Sequence, residues 1–256
     1  MDNKFFSRKQ GRRSVLVVGS KTQATLSICM LLKRFAYEVS TADTAAKALD
    51  LVTAAAPALI ITDPVLPGMS GMDLFNVLRQ VKRTSSIPVI FMVPMSDAAA
   101  ERRCIESGAA GCISKPVLAE ELYRTIQTIL EPIPRENIRI GARLVVSVDN
   151  APLDCSEGAC SIDLSEQGMY VPMYKPFPRN RRLTVQLQIK DRTISTESTV
   201  LYNYASRVGS DQESGVGLKF VAIALQDREY IRKFIREEIA RDVRESISGQ
   251  LPDTWR

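Results

Sequence analysis

Between Ser14 and about Leu130, continuous apolar runs alternate with amphipathic stretches of helical length, and this alternation constrains the fold more than any other feature of the chain. The runs are Val15–Val18, Ala58–Thr62, Pro88–Val93 and Gly111–Ser114, and Tyr37–Ala42 supplies a further strand. Runs without polar alternation belong where both faces are buried, as in a parallel sheet covered by helices. Helical spacing fills Thr22–Phe35, Ala45–Ala55, Met72–Lys82, Ala98–Ser107 and Leu118–Leu130. Five βα units predict an N-terminal α/β domain with a doubly wound five-stranded parallel sheet, its site at the carboxyl ends of the strands.

Glu131-Pro-Ile-Pro134 ends this pattern, since proline cannot continue a helix and biases the residue before it to extended geometry. Beyond it the period becomes two and β-branched residues dominate, over Arg143–Val148, Met169–Pro172, Leu183–Ile189, Thr193–Tyr204 and Gly217–Ala222. Short strands at this spacing predict a small antiparallel β-barrel. Asp227–Ile247 follows, with Ile231, Phe234, Ile235, Ile239, Val243 and Ile247 on one stripe, a long terminal helix that caps the barrel. Its surplus length is expected to pair with another helix, making a homodimer. The organisation is thus a basic flexible tail (1–13), an α/β domain (14–130), a linker (131–134), a β domain (135–248) and a tail (249–256).

Histidine is absent from all 256 residues, which removes Ser-His-Asp and Cys-His catalysis and His-ligated metals. The net charge of +5 lies entirely in residues 1–130, with 16 basic against 11 acidic residues, while 131–256 balance at 18 each. Most of the excess is the N-terminal tail, and neither a recognition helix nor interleaved aromatics accompany it, so nucleic-acid binding is not expected. No run of about 18 apolar residues is present, so no membrane-spanning helix is expected. The basic opening Met1–Arg13 has no apolar segment behind it and does not read as a secretory signal, so the expected location is the cytoplasm. The five cysteines, Cys29, Cys104, Cys112, Cys155 and Cys160, form no CxxC pair and are odd in number. Reduced thiols are expected, although Cys155 and Cys160 could face each other across a hairpin. Val18-Gly19-Ser20-Lys21-Thr22 lacks the glycines of a phosphate-binding loop.

Asp63 closes the third strand, Leu66-Pro67-Gly68-Met69-Ser70-Gly71 follows it, and Lys115-Pro116 closes the fifth. With these residues the segment 14–130 resembles the response-regulator receiver family. The resemblance implies Asp63 as the phosphoacceptor position and Lys115 as the lysine that pairs with the phosphoryl group. The family carries two acidic residues after the first strand to hold Mg²⁺, and here that place reads Gly19-Ser20. A single carboxylate suits a cation that demands near-octahedral oxygen ligation poorly, so Mg²⁺ is not expected. Val93 stands where the family has Ser or Thr, and Cys112 where it has the aromatic switch residue. A pseudoreceiver, inactive at Asp63, is the expectation.

The second half carries Arg135-x-x-x-Arg139 after the linker, then Asp163-Leu-Ser165-Glu-Gln-Gly168 between two strands, and Gly215-Val-Gly217-Leu-Lys-Phe220 before the terminal helix. In this order they resemble a PilZ domain, which implies cyclic di-GMP as ligand and Arg135, Arg139, Asp163, Ser165 and Gly168 as the residues that hold it. The chemistry is sensible in itself. A guanidinium fork matches phosphate or the guanine O6/N7 pair, a carboxylate accepts the guanine N1 and N2 protons, and glycine admits close backbone approach.

The expected function is a non-enzymatic cyclic di-GMP effector in signal transduction, in which binding alters domain arrangement and the surface shown to an unidentified protein partner. Two alternatives remain: a two-component response regulator phosphorylated on Asp63 with a PilZ output, and a nucleotide-independent docking scaffold for motility machinery.

Overall fold

The computed structural model describes residues 13–95, 97–132, 134, 136–153, 160–173, 177–204 and 214–247. Two compact units divide the chain, one around Arg13–Glu136 and one around Asn137–Glu238.

In the first unit β1 (Ser14–Val18), β2 (Glu38–Ala42), β3 (Leu59–Thr62), β4 (Val89–Pro94) and β5 (Gly111–Lys115) form one parallel sheet in the order β2-β1-β3-β4-β5. The helices are α1 (Gln23–Arg34), α2 (Ala45–Ala54), α3 (Gly71–Gln80), α4 (Ala98–Glu106) and α5 (Ala119–Leu130). Every residue of β3 and all but the last of β4 are buried, as their unbroken apolar runs require. Side-chain caps start four helices: Thr22, Thr44 and Asp97 each accept from a backbone N–H, and Ser70 forms a capping box with Asp73. The strand order switches direction between β1 and β3, so the carboxyl ends of those strands frame the crevice where such sheets bind ligands.

In the second unit β6 (Ile140–Val148), β8 (Cys160–Ser165), β9 (Gly168–Pro172), β12 (Gly215–Ala222), β11 (Arg192–Tyr204) and β10 (Arg182–Ile189) pair antiparallel in that order. β10 returns to pair with β6, which closes a six-stranded barrel. A two-residue strand, β7 (Ala151–Pro152), adds to β6. Alternation fills the interior: Ile140, Ala142, Leu144, Val146 and Val148 of β6 are all buried, whereas Arg143 and Val145 are exposed. Closure pairs every barrel edge, which is how a small antiparallel sheet avoids open backbone. α6 (Leu225–Ile247) begins two residues before the predicted start, and Ile231, Phe234, Ile235 and Ile239 of its stripe are buried.

Two readings are corrected. Asp163 and Ser165 lie inside a strand, the end of β8, and Gly168 opens β9, so only Glu166 and Gln167 form the connection. The alternation of Cys160, Ile162 and Leu164 with Ser161, Asp163 and Ser165 is itself period two, and the polar outer face concealed it. Cys160 is disulfide-bonded rather than reduced; Cys155 lies outside the described residues. Cys29, Cys104 and Cys112 are free thiols. Among the described residues no helix is long and apolar enough to cross a membrane.

Candidate nucleotide site and receiver centre

At the end of β3, the Asp63 N–H donates to Val18 O at 3.1 Å and the Thr62 hydroxyl donates to Asp63 O at 3.1 Å, which fixes the backbone from both sides. Gly71 is required next to it, since a Cβ there would collide with Asp63 O. The Asp63 side chain is buried, and Lys115 Nζ at the end of β5 donates to its Oδ1. Asp63 and Lys115 are therefore an ion pair, 52 residues apart in sequence, made by adjacent strand ends.

The same centre fits Mg²⁺ poorly. A Cβ at Gly19 would stand 2.8 Å from Asp63 Oδ2, so the carboxylate has settled into the space that a side chain at position 19 would need. Among the described residues no group of three Asp, Glu, Cys or His side chains could hold a metal ion. One paired carboxylate supplies neither the charge nor the oxygen count that the cation demands. At the end of β4, Val93 is buried and offers no hydroxyl. Cys112 in β5 shares a side-chain hydrogen bond with Cys104 of α4, and burial pushes its thiol up to about 12.

The barrel brings together most of the residues singled out in the second half. β6 and β8 pair with Ile140 opposite Leu164 and Gly141 opposite Asp163, so the residue preceding β6, Arg139, lies beside the end of β8 where Ser165 stands. β8 and β9 pair with Ser165 opposite Gly168, and the Ser165 hydroxyl donates to Gly168 O at 3.0 Å, closing a two-residue turn. A Cβ on Gly168 would collide with Leu218 O of β12, so only glycine lets β9 approach here. Arg139, Asp163 and Ser165 alternate with inward residues and so belong to the outer face of the barrel, yet they are 5%, 7% and 6% exposed. Arg139 and Asp163 each have interactions of their own. Nε and Nη1 of the arginine and Oδ2 of the aspartate are nonetheless enclosed with hydrogen-bonding capacity left over. Arg135 lies outside the described residues.

Four relationships escaped the sequence. Glu166, in the turn, bonds Arg232 of α6 at 2.9 Å, while Lys190–Glu237 and Arg192–Asp227, both at 2.6 Å, tie the β10–β11 turn to the same helix. Tyr170 and Tyr202 stack on the outer face with ring centroids 6.4 Å apart. Ion pairs between distant segments leave no local pattern, but aromatic residues at outward positions of β9 and β11, with a glycine of β12 in the same row between them, could have been sought.

Strand order 2-1-3-4-5 with a strand-end Asp–Lys pair is the arrangement of a receiver-type domain, and the second unit is a closed six-stranded barrel with a terminal helix. The response regulator receiver domain model matches residues 15–127, and the PilZ domain model matches residues 133–237. The two-component response regulator ORR3 of Oryza sativa subsp. indica is 30% identical over 117 residues, covering 45% of this chain and 89% of that protein. The probable transcriptional regulator ycf27 of Cyanidium caldarium is 29% identical over 164 residues, covering 63% of this chain and 62% of that protein. The chain thus spans about three fifths of the length of that relative. Among solved structures, the chemotaxis response regulator CheY4 of Vibrio cholerae is 26% identical with a TM-score of 0.43, covering 46% of this chain and 99% of that one. The receiver domain of NtrX from Brucella abortus is 25% identical with a TM-score of 0.44, covering 46% and 99%. The chain belongs to the response-regulator receiver family and joins to its receiver domain a PilZ domain. Both are non-catalytic signalling domains, and PilZ domains bind cyclic di-GMP.

Proposed function

We propose that this chain is a non-enzymatic, cytoplasmic cyclic di-GMP effector whose PilZ domain, residues 135–248, binds the nucleotide and whose receiver domain, residues 14–130, does not take a phosphoryl group. The observation that carries this reading is the convergence of Arg139, Asp163, Ser165 and Gly168 at one end of the barrel, in ladder register and buried on its outer face. A buried guanidinium, carboxylate and hydroxyl on a barrel's outside are costly unless they serve a polar ligand or are held by polar partners.

In this reading Arg139, with Arg135 from the arm, holds phosphate and base through guanidinium forks, which supply rigid bidentate donors. The Asp163 carboxylate accepts the guanine N1 and N2 protons. Ser165 bonds phosphate, and Gly168 keeps the backbone low beneath the ligand. These groups are covered in the free chain, so binding exchanges intramolecular cover for nucleotide. A ligand that prefers the uncovered state shifts the population toward it, and the linker 131–134 lets that shift change the domain arrangement and the surface offered to a protein partner.

Titration calorimetry with cyclic di-GMP and cyclic di-AMP on the wild type and on Asp163→Asn tests the assignment. The wild type is expected to bind only the guanine ligand, which presents N1 and N2 donors to the carboxylate, and the variant to lose that discrimination. Equal binding of both ligands by the wild type would overturn the role of Asp163. A stable Asp63 adduct with acetyl phosphate or beryllofluoride and Mg²⁺ would favour the phosphorylated response-regulator reading instead.

A further inference from the structure

Beside Asp163 the outer face of the barrel is aromatic. The ladders run Asp163 to Tyr170, Tyr170 to Gly217 and Gly217 to Tyr202, a single row across β8, β9, β12 and β11. A Cβ on Gly217 would collide with the ring of Tyr202, and one on Gly215 would lie 2.5 Å from Cζ and the hydroxyl of Tyr170. Both rings therefore lie down on strand backbone that only glycine leaves bare, whereas strand side chains ordinarily stand roughly perpendicular to the sheet. They stack with an interplanar angle of 20°. Tyr170 is 6% exposed, while Tyr202 is half-buried and keeps part of its surface accessible.

A cyclic dinucleotide carries two purines, and a single carboxylate can satisfy the edge of only one. Strands lie about 4.8 Å apart, so the Tyr202 ring, leaning back over Gly217, is about 10 Å from Asp163. One base cannot meet both, and a ligand with two bases can. Purine faces stack on aromatic rings, and the contact tolerates any base because every base has a π-face. We propose that the Tyr170–Tyr202 pair is the stacking floor of the nucleotide site: Tyr202 receives the face of one guanine while Asp163 holds the edge of the other. This rests on the cyclic di-GMP reading above. Tyr170, covered and seated over Gly215, is the positioning residue that holds the Tyr202 ring flat.

Calorimetry of the full chain with cyclic di-GMP, on wild type, Tyr202→Ala and Tyr202→Phe, tests it. Tyr202→Ala should bind about 5- to 150-fold more weakly, and Tyr202→Phe within about threefold of wild type, because a face contact needs the ring and not the hydroxyl. Cross-relaxation between guanine H8 and the Tyr202 ring protons should appear in the wild-type complex, a signal that a purely structural tyrosine would not give. Wild-type affinity in Tyr202→Ala, a loss in Tyr202→Phe as large as in Tyr202→Ala, or absent cross-relaxation in a saturated complex would overturn the proposal. If the wild type binds and Tyr202→Ala binds equally well, the stacking floor alone fails; if the wild type itself does not bind, the nucleotide reading fails with it.

Discussion

Arg232 Nη2 donates to Glu166 Oε2 at 2.9 Å, tying the turn between Ser165 and Gly168 to the terminal helix. Glu166 is largely buried and the arginine nearly half exposed, and the carboxylate raises the pKa of the guanidinium. In the proposed reading, this bond links the nucleotide site to α6. In urea unfolding, Glu166→Gln and Arg232→Met should each lower the midpoint slightly, with the double variant no lower than the worse single one. In about 1 M salt the coupling should vanish. Additive effects would show that the two residues do not act as a pair.

Lys115 should stabilise the receiver unit without any phosphoryl chemistry. Its ammonium neutralises Asp63, which is only 8% exposed. Lys115→Met would leave that carboxylate buried and uncompensated, costing about 1.5–3 kcal/mol in denaturant unfolding. An unchanged midpoint would mean that water already solvates Asp63 in the folded state.

Metal binding should be recoverable by substitution. The Gly19→Asp, Ser20→Asp double variant would place two carboxylates beside Asp63, whose Oδ2 must swing aside to admit the new Cβ. Calorimetry should then detect Mg²⁺ in the variant and little or none in the wild type. Comparable binding by both would contradict the view that positions 19 and 20 disable the centre.

The thiols of Cys29, which is buried, and Cys112, which is half-buried, should be inert at neutral pH. Burial raises Cys29 and Cys112 from 9.0 to about 12, so at pH 8 only about one molecule in 10⁴ carries the thiolate at each position. Iodoacetamide should leave both unlabelled in the native protein and label both in urea, as read by mass spectrometry. Because the folded value lies above the unfolded one, the stability that these neutral thiols contribute is complete below about pH 9 and is lost as the pH climbs towards 12. Rapid labelling of the native protein would contradict this.

The parallel sheet was legible because both of its faces are buried, which wrote Leu59–Thr62 and Val89–Val93 as unbroken apolar runs. The barrel was legible in its inward residues and obscure on its outer face near Asp163: Cys160, Ile162 and Leu164 alternate with polar residues as a strand should, but the polar outer positions let the segment read as a loop. Motif spacing brought Arg139, Asp163, Ser165 and Gly168 to attention, but only the β6–β8 register shows that they adjoin. The settling of Asp63 over Gly19 could not be read locally either, since those residues meet only through the pairing of β1 with β3. The spacing of Cys155 and Cys160 allowed a hairpin pairing but did not distinguish it from two reduced thiols, and the structure has Cys160 disulfide-bonded.

The central claim is that Arg139 and its neighbours on β8 and β9 hold a cyclic dinucleotide, and calorimetry with cyclic di-GMP on wild type and Arg139→Ala tests it most directly. The account predicts saturable binding by the wild type and an affinity about 10- to 150-fold lower in the variant, the effect of one lost charge-assisted contact. No heat from the wild type, or equal affinity in Arg139→Ala, would contradict it.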